Sequence, residues 1–152
     1  MTFHNLFKTK CEHNIDTISI IENFLNYKLP SDYKKFLIEI NGGVPLKKYF
    51  IYNQTGSSLK CFFGINKHKD FNLIKFYNDY KDIIPSDIIP IGQDEGGNIL
   101  LLAVSGKNYG CIFYLDHDQP IQIIANSFDE FLSMLKSEDE IDALLNEEEK
   151  TP

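Results

Sequence analysis

The spacing of apolar residues changes period along this chain, and the changes mark its elements. From residue 16 to residue 41 the period is helical. Asp16 or Thr17 can cap a first helix running to about Tyr27, with Ile18, Ile21 and Leu25 on one face and Phe24 beside it. Pro30 disfavours a helical conformation at Leu29, so that helix stops there. Ser31 or Asp32 then offers an oxygen to the first free N–H groups of a second helix. Tyr33, Phe36, Leu37 and Ile40 fall at i, i+3, i+4 and i+7, a single apolar stripe, while Lys34, Lys35 and Glu39 take the wet side. Asn41-Gly42-Gly43 ends it, because glycine enters the left-handed region without a Cβ penalty. The predicted second helix is 31–41.

After Gly43 the pattern becomes strand-like. Lys48 to Tyr52 reads as a short strand, Asn53 to Ser58 as a turn-rich loop, and Leu59 to Ile65 as an aromatic strand. Leu73, Phe76, Tyr77 and Tyr80 restore the helical period and predict a third helix over 71–80. Ile88 to Gly92 is a strand, Asp94-Glu95-Gly96-Gly97-Asn98 a turn suited to positive φ, and Ile99 to Val104 a continuous apolar run. Such a run predicts a strand buried on both faces. Two further strands, Tyr109 to Leu115 and Ile121 to Ile124, are separated by the polar turn Asp116 to Pro120. Strands joined by short turns predict an antiparallel meander.

Ser127 followed by Glu130 is a capping box, and Phe128, Phe131, Leu132 and Leu135 form the stripe of another helix. From Ser137 the chain turns acidic. Ile141, Leu144 and Leu145 suit a short helix, with Glu147-Glu148-Glu149 fraying into solvent. The expectation is an α+β fold: a mostly antiparallel sheet of about six strands, flanked by N-terminal and C-terminal helices. It comprises a lead-in over 1–16, one domain over 17–136 and an acidic tail over 137–152.

Composition narrows the function classes. The chain has 152 residues, enough to bury a core in one domain. The formal net charge is −7, and all 15 basic residues are lysine. Without arginine, bidentate phosphate and guanine contacts lose their usual donor, and no basic stripe replaces it, which argues against nucleic acid. An acidic surface suits a basic protein partner. No apolar run approaches the roughly 18 residues of a membrane span, and the first residues lack the features of a signal peptide, so cytoplasmic residence is expected. Cys11, Cys61 and Cys111 are odd in number and widely spaced, unlike a disulfide framework. Cys61 and Cys111 are expected to be buried thiols.

Three segments in order, Leu29-Pro30 to Asn41-Gly42-Gly43, Ile89-Pro90-Ile91-Gly92 through Asp94 to Asn98, and Ser127-Phe128 through Phe131-Leu132, give a further reading. The chain resembles the SUKH superfamily over about residues 17 to 136. That superfamily includes yeast cell-wall-synthesis regulators and many bacterial immunity proteins. The resemblance implies a sheet flanked by helices, direct binding of a cognate protein toxin, often a nuclease, and no shared catalytic set. Pro30, Tyr33, Phe36, Leu37, Asn41, Gly42, Gly43, Gly92, Gly96 and Gly97 match the family pattern and read as fold-defining.

No catalytic, cofactor or metal site stands out. Asp116-His117-Asp118 reads as a solvated turn, because neighbouring residues on a strand point apart. His4, Cys11 and His13 lack pair-with-pair ligand spacing. Asp94 to Asn98 lacks the Lys-Ser/Thr and helix of a phosphate loop and reads as a hairpin turn with two exposed acids. Tyr49, Phe50, Tyr52, Tyr77, Tyr80 and Tyr109 are the aromatics expected nearest the surface. The expected function is an immunity protein that occludes a toxin, with Asp94, Glu95, Asp116 and Asp118 meeting its basic rim. The alternative is an intracellular regulatory or scaffold module.

Overall fold

A computed structural model of the chain describes residues 6–7, 16–52, 54–65 and 71–150. Five helices and six strands follow in the order α1 (Asp16–Leu25), α2 (Ser31–Glu39), β1 (Tyr49–Tyr52), β2 (Thr55–Phe62), α3 (Leu73–Tyr80), β3 (Ile88–Asp94), β4 (Ile99–Ala103), β5 (Ile112–Leu115), β6 (Gln122–Ala125), α4 (Phe128–Met134) and α5 (Glu138–Lys150). The strands form one antiparallel sheet in the order β1-β2-β3-β4-β5-β6, a meander in which every chain neighbour is a sheet neighbour. The fold is α+β.

The stripes read from the sequence become the core. Ile18, Ile21 and Leu25 of α1 are buried, as are Tyr33, Phe36 and Leu37 of α2 and Phe128, Phe131 and Leu132 of α4. The rings of α2 and α4 meet those of the sheet: Phe36 lies 5.4 Å from Phe62 and 5.0 Å from Phe128, and Phe131 lies 5.4 Å from Phe50. Tilted and edge-on rings at these distances add a quadrupole term to burial. All five residues of β4 are buried, as their unbroken apolar run implies. The lead-in is not idle at Phe7, whose buried ring sits 5.2 Å from Phe36.

The helix ends differ in detail from the sequence reading. No side chain caps α2; Pro30 stands at its N-cap. Asp32 instead accepts from the backbone N–H of Tyr33 (2.7 Å) with Oδ1 and from that of Asp129 (3.1 Å) with Oδ2, joining the starts of α2 and α4. At the other end Asn41 (φ 60°) and Gly42 (φ 89°) turn the chain sharply. A Cβ on Gly42 would sit 2.7 Å from the backbone N of Gly64, so two backbone segments meet where a side chain has no room. In α4, Ser127 Oγ accepts from Glu130 N at 3.0 Å, the expected cap.

Several expectations need correction: the strand predicted from Tyr109 begins only at Ile112, and Glu147 to Glu149, expected to fray, continue helix α5. Thr55 to Ser58 is not loop but the first half of β2, because Gln54 (φ 65°) lets the turn close so tightly that Tyr52 pairs with Thr55. Phe50 is fully buried rather than near the surface, facing Phe131. Cys111 is only partly buried, since it lies between β4 and β5 outside either strand, whereas Cys61 is buried.

The acidic C-terminal segment is helix α5 resting on β1. Ser137 and Glu140 form a reciprocal capping box, and Lys47 pairs with Glu140 at 2.8 Å. Tyr49 and Lys136 exchange both backbone hydrogen bonds, and Ile141 is buried. The outer edge of the sheet at β1 is thus partly paired, which removes some of the open backbone groups an edge strand otherwise presents.

Candidate functional site

In an antiparallel meander alternate turns emerge at the same end. The β1–β2, β3–β4 and β5–β6 turns therefore share one end of the sheet, and this topology gathers the four acids singled out from the sequence. They do not behave alike.

Asp94, the last residue of β3, is buried and turned inward. Its Oδ1 accepts from the backbone N–H groups of Gly96 and Asn98, each at 2.9 Å. Its Oδ2 accepts from Ser57 Oγ (2.9 Å), from Asn98 Nδ2 (3.2 Å) and from the Tyr114 hydroxyl. Ser57 comes from β2 and Tyr114 from β5, so one carboxylate at the end of β3 ties β2, β3 and β5 to the turn that leads into β4. A buried carboxylate is tolerable only with such a set of donors. Gly97 (φ 86°) takes the left-handed position that the turn requires. The expectation of two exposed acids here holds for Glu95 and fails for Asp94, which the hydrogen-bond demand of the turn pulls inside.

Glu95 is exposed, with Lys48 Nζ at 4.0 Å from its carboxylate. Asp116 is half-buried and Asp118 exposed. Asp116 Oδ1 accepts from Asp118 N at 3.0 Å, and its carbonyl accepts from Gln119 N at 3.1 Å. The segment is the solvated turn its composition implied. Among the described residues, no lysine forms an ion pair with Asp94, Asp116 or Asp118.

Between these turns lies a polar cleft of about 370 Å³, lined by Thr55, Gly56, Ser57, Asn98, Tyr114, Asp116 and Gln119. Its volume falls within the range of small-ligand sites. Sequence reading missed Thr55, Ser57, Asn98, Tyr114 and Gln119. The available signal was an Asp at a strand end with Asn four residues on, the spacing that closes a side-chain-capped hairpin. Ser57 was hidden because its segment read as loop.

Burial, then the hydrogen bond to Asp94, pushes the Tyr114 hydroxyl well above its ordinary value. Burial pushes the Cys61 thiol up to about 12, which suppresses the nucleophilic thiolate. Among the described residues no cluster of His, Cys, Asp and Glu is suited to a metal ion. His4, Cys11 and His13 lie outside the described residues. No described helix is long and apolar enough to cross a membrane.

Comparison with known proteins now bears on this architecture. The chain is 31% identical over 143 residues to the SPbeta prophage-derived uncharacterized protein YokK of Bacillus subtilis (strain 168), covering 78% of this chain and 72% of that protein. The model of the SMI1 / KNR4 family (SUKH-1) matches residues 14–134, a span running from the start of α1 to the end of α4. The chain therefore belongs to the SMI1 / KNR4 family (SUKH-1).

Proposed function

We propose that this protein is an immunity protein, acting in the cytoplasm, that neutralises a cognate toxin by binding it stoichiometrically and covering its active site. Family membership fits this type of protein, and the Bacillus relative is described as prophage-derived.

The observation that carries the reading is the acidic end of the sheet. Glu95, Asp116 and Asp118 are presented by two neighbouring turns, and neither Asp116 nor Asp118 has a lysine partner among the described residues. A chain of net charge −7 with these acids on hairpin turns suits a partner with a basic cleft, as a nuclease has. Inhibition by occlusion requires no turnover, and we assign no catalytic residue or cofactor. Asp94 serves the interface indirectly, by fixing the β3–β4 turn that presents Glu95.

The test is co-expression with the gene product encoded beside this one. Relief of that neighbour's toxicity, together with a 1:1 complex on purification, is the expected result. A toxic neighbour that this protein neither binds nor restrains would overturn the pairing.

A further inference from the structure

The side-chain hydrogens of Ser57, Asn98 and Tyr114 at the cleft are drawn toward Asp94 and one another. Asp94 can only accept, so it draws in the hydroxyl hydrogens of Ser57 and Tyr114. Asn98 Nδ2 spends its hydrogens on Asp94 and on the Tyr114 oxygen, at 3.2 and 2.9 Å. The amide orientation of Asn98 follows from this, because a carboxylate needs the nitrogen side. What Ser57 and Asn98 retain for a ligand is acceptor capacity, an oxygen lone pair and a carbonyl Oδ1. Asp116 adds a carboxylate with Oδ1 engaged by Asp118 N. Ser57, Asn98 and Asp116 thus present acceptors to the cleft, above one buried negative charge and beside a second, while Thr55 and Gln119 can present either a donor or an acceptor.

We propose that this cleft is the receptor for an arginine side chain of the protein partner. The proposal deepens the partner-binding reading above and rests on it. A site rich in acceptors and net negative selects a ligand that carries several donors and a positive charge. The guanidinium, with five N–H donors and no acceptor, is the side chain that matches. A metal ion fits poorly, since among the described residues no suitable ligand group is present. A second copy of this chain cannot supply the group, because the sequence contains no arginine. The donor must come from a different protein.

The full-length chain, labelled with 15N, is titrated with N-acetyl-arginine-amide and followed by its backbone amide resonances. Saturable shifts at Ser57, Asn98, Asp116 and Gln119 are expected. The neutral citrulline analogue should produce none, and the lysine analogue should bind more weakly. Asp116→Asn, a partly exposed position, should keep its fold and weaken arginine binding about tenfold, the loss typical of a charge-assisted hydrogen bond. Absence of saturable shifts, an equal response to citrulline, or unchanged affinity in Asp116→Asn would overturn the proposal. Equal affinity for the lysine analogue would overturn the guanidinium assignment. Free arginine, whose own carboxylate meets Asp116, should bind less well than the capped form; the reverse order would make this a free-amino-acid site and contradict a protein partner. Toxin rescue without arginine binding would sink this inference alone, and arginine binding without rescue would sink the immunity reading alone.

Discussion

The Tyr114 hydroxyl donates to the buried carboxylate of Asp94, joining β5 to the β3–β4 turn across the intervening strand β4. Removing one donor from a carboxylate with several others has a bounded cost. Tyr114→Phe should lower stability by about 1–3 kcal/mol. Asp94→Ala should cost more, because Ser57 Oγ, Asn98 Nδ2 and the N–H groups of Gly96 and Asn98 lose their acceptor together. Urea unfolding checks this: the midpoint should fall in that order with the slope unchanged.

Asn41 imitates a strand with its side chain. Its Nδ2 donates to Ile65 O at 2.6 Å and its Oδ1 accepts from Ile65 N at 2.8 Å. Asn41→Ala should cost about 1–3 kcal/mol by orphaning both backbone groups. Gly42→Ala is expected to be worse, over about 3 kcal/mol, since a Cβ would meet Gly64 N at 2.7 Å in a left-handed conformation. Denaturation midpoints of the two variants, compared with wild type, rank these effects.

The helices and the sheet were legible because each depends on local signals. The stripe Tyr33, Phe36, Leu37 and Ile40 allowed one reading, and all four residues are fully buried. The run Ile99 to Val104 was equally plain. Thr55 to Ser58 misled, because its Gly and Ser residues signal a turn while the strand they form is fixed by pairing with β1. Asp94 misled for a related reason. Acids in turns are usually exposed, and nothing local reveals that Ser57 and Tyr114, distant in sequence, converge on this one. Of the four acids chosen from sequence, Glu95 and Asp118 are exposed and Asp116 partly so, while the cleft between them emerges only from the meander.

Alkaline pH should weaken the fold. Burial raises the Cys61 thiol from about 9 to about 12 in the folded chain and raises the Tyr33 and Tyr114 hydroxyls. A group whose folded value exceeds its unfolded one holds extra protons in the native state. Its contribution is complete below the unfolded value and is lost as pH climbs through the folded one. For Cys61 the loss therefore begins near pH 9 and runs toward about 12. The Tyr33 hydroxyl is buried without a hydrogen-bond partner among the described residues. Tyr33→Phe should be neutral or stabilising at pH 7 and should shift the alkaline transition upward. Far-UV circular dichroism across this range reads both effects.

Just beyond the Lys136–Tyr49 backbone pair, helix α5 packs on β1 and buries Ile141. A chain ending after Lys136 should stay folded but expose apolar surface around Ile51 and Met134 and self-associate through that uncovered patch. Sedimentation velocity should then show concentration-dependent oligomers absent from the full chain. A strictly monomeric truncation would contradict the shielding role.

The central claim is that the acidic turns recognise a toxin. Its most direct measurement is protection of cells expressing the neighbouring toxin by the triple variant Glu95→Lys, Asp116→Lys, Asp118→Lys, with the variant's melting temperature checked against wild type. The account predicts full protection by wild type and loss of protection by an equally stable variant. Undiminished protection by the charge-reversed protein would contradict it.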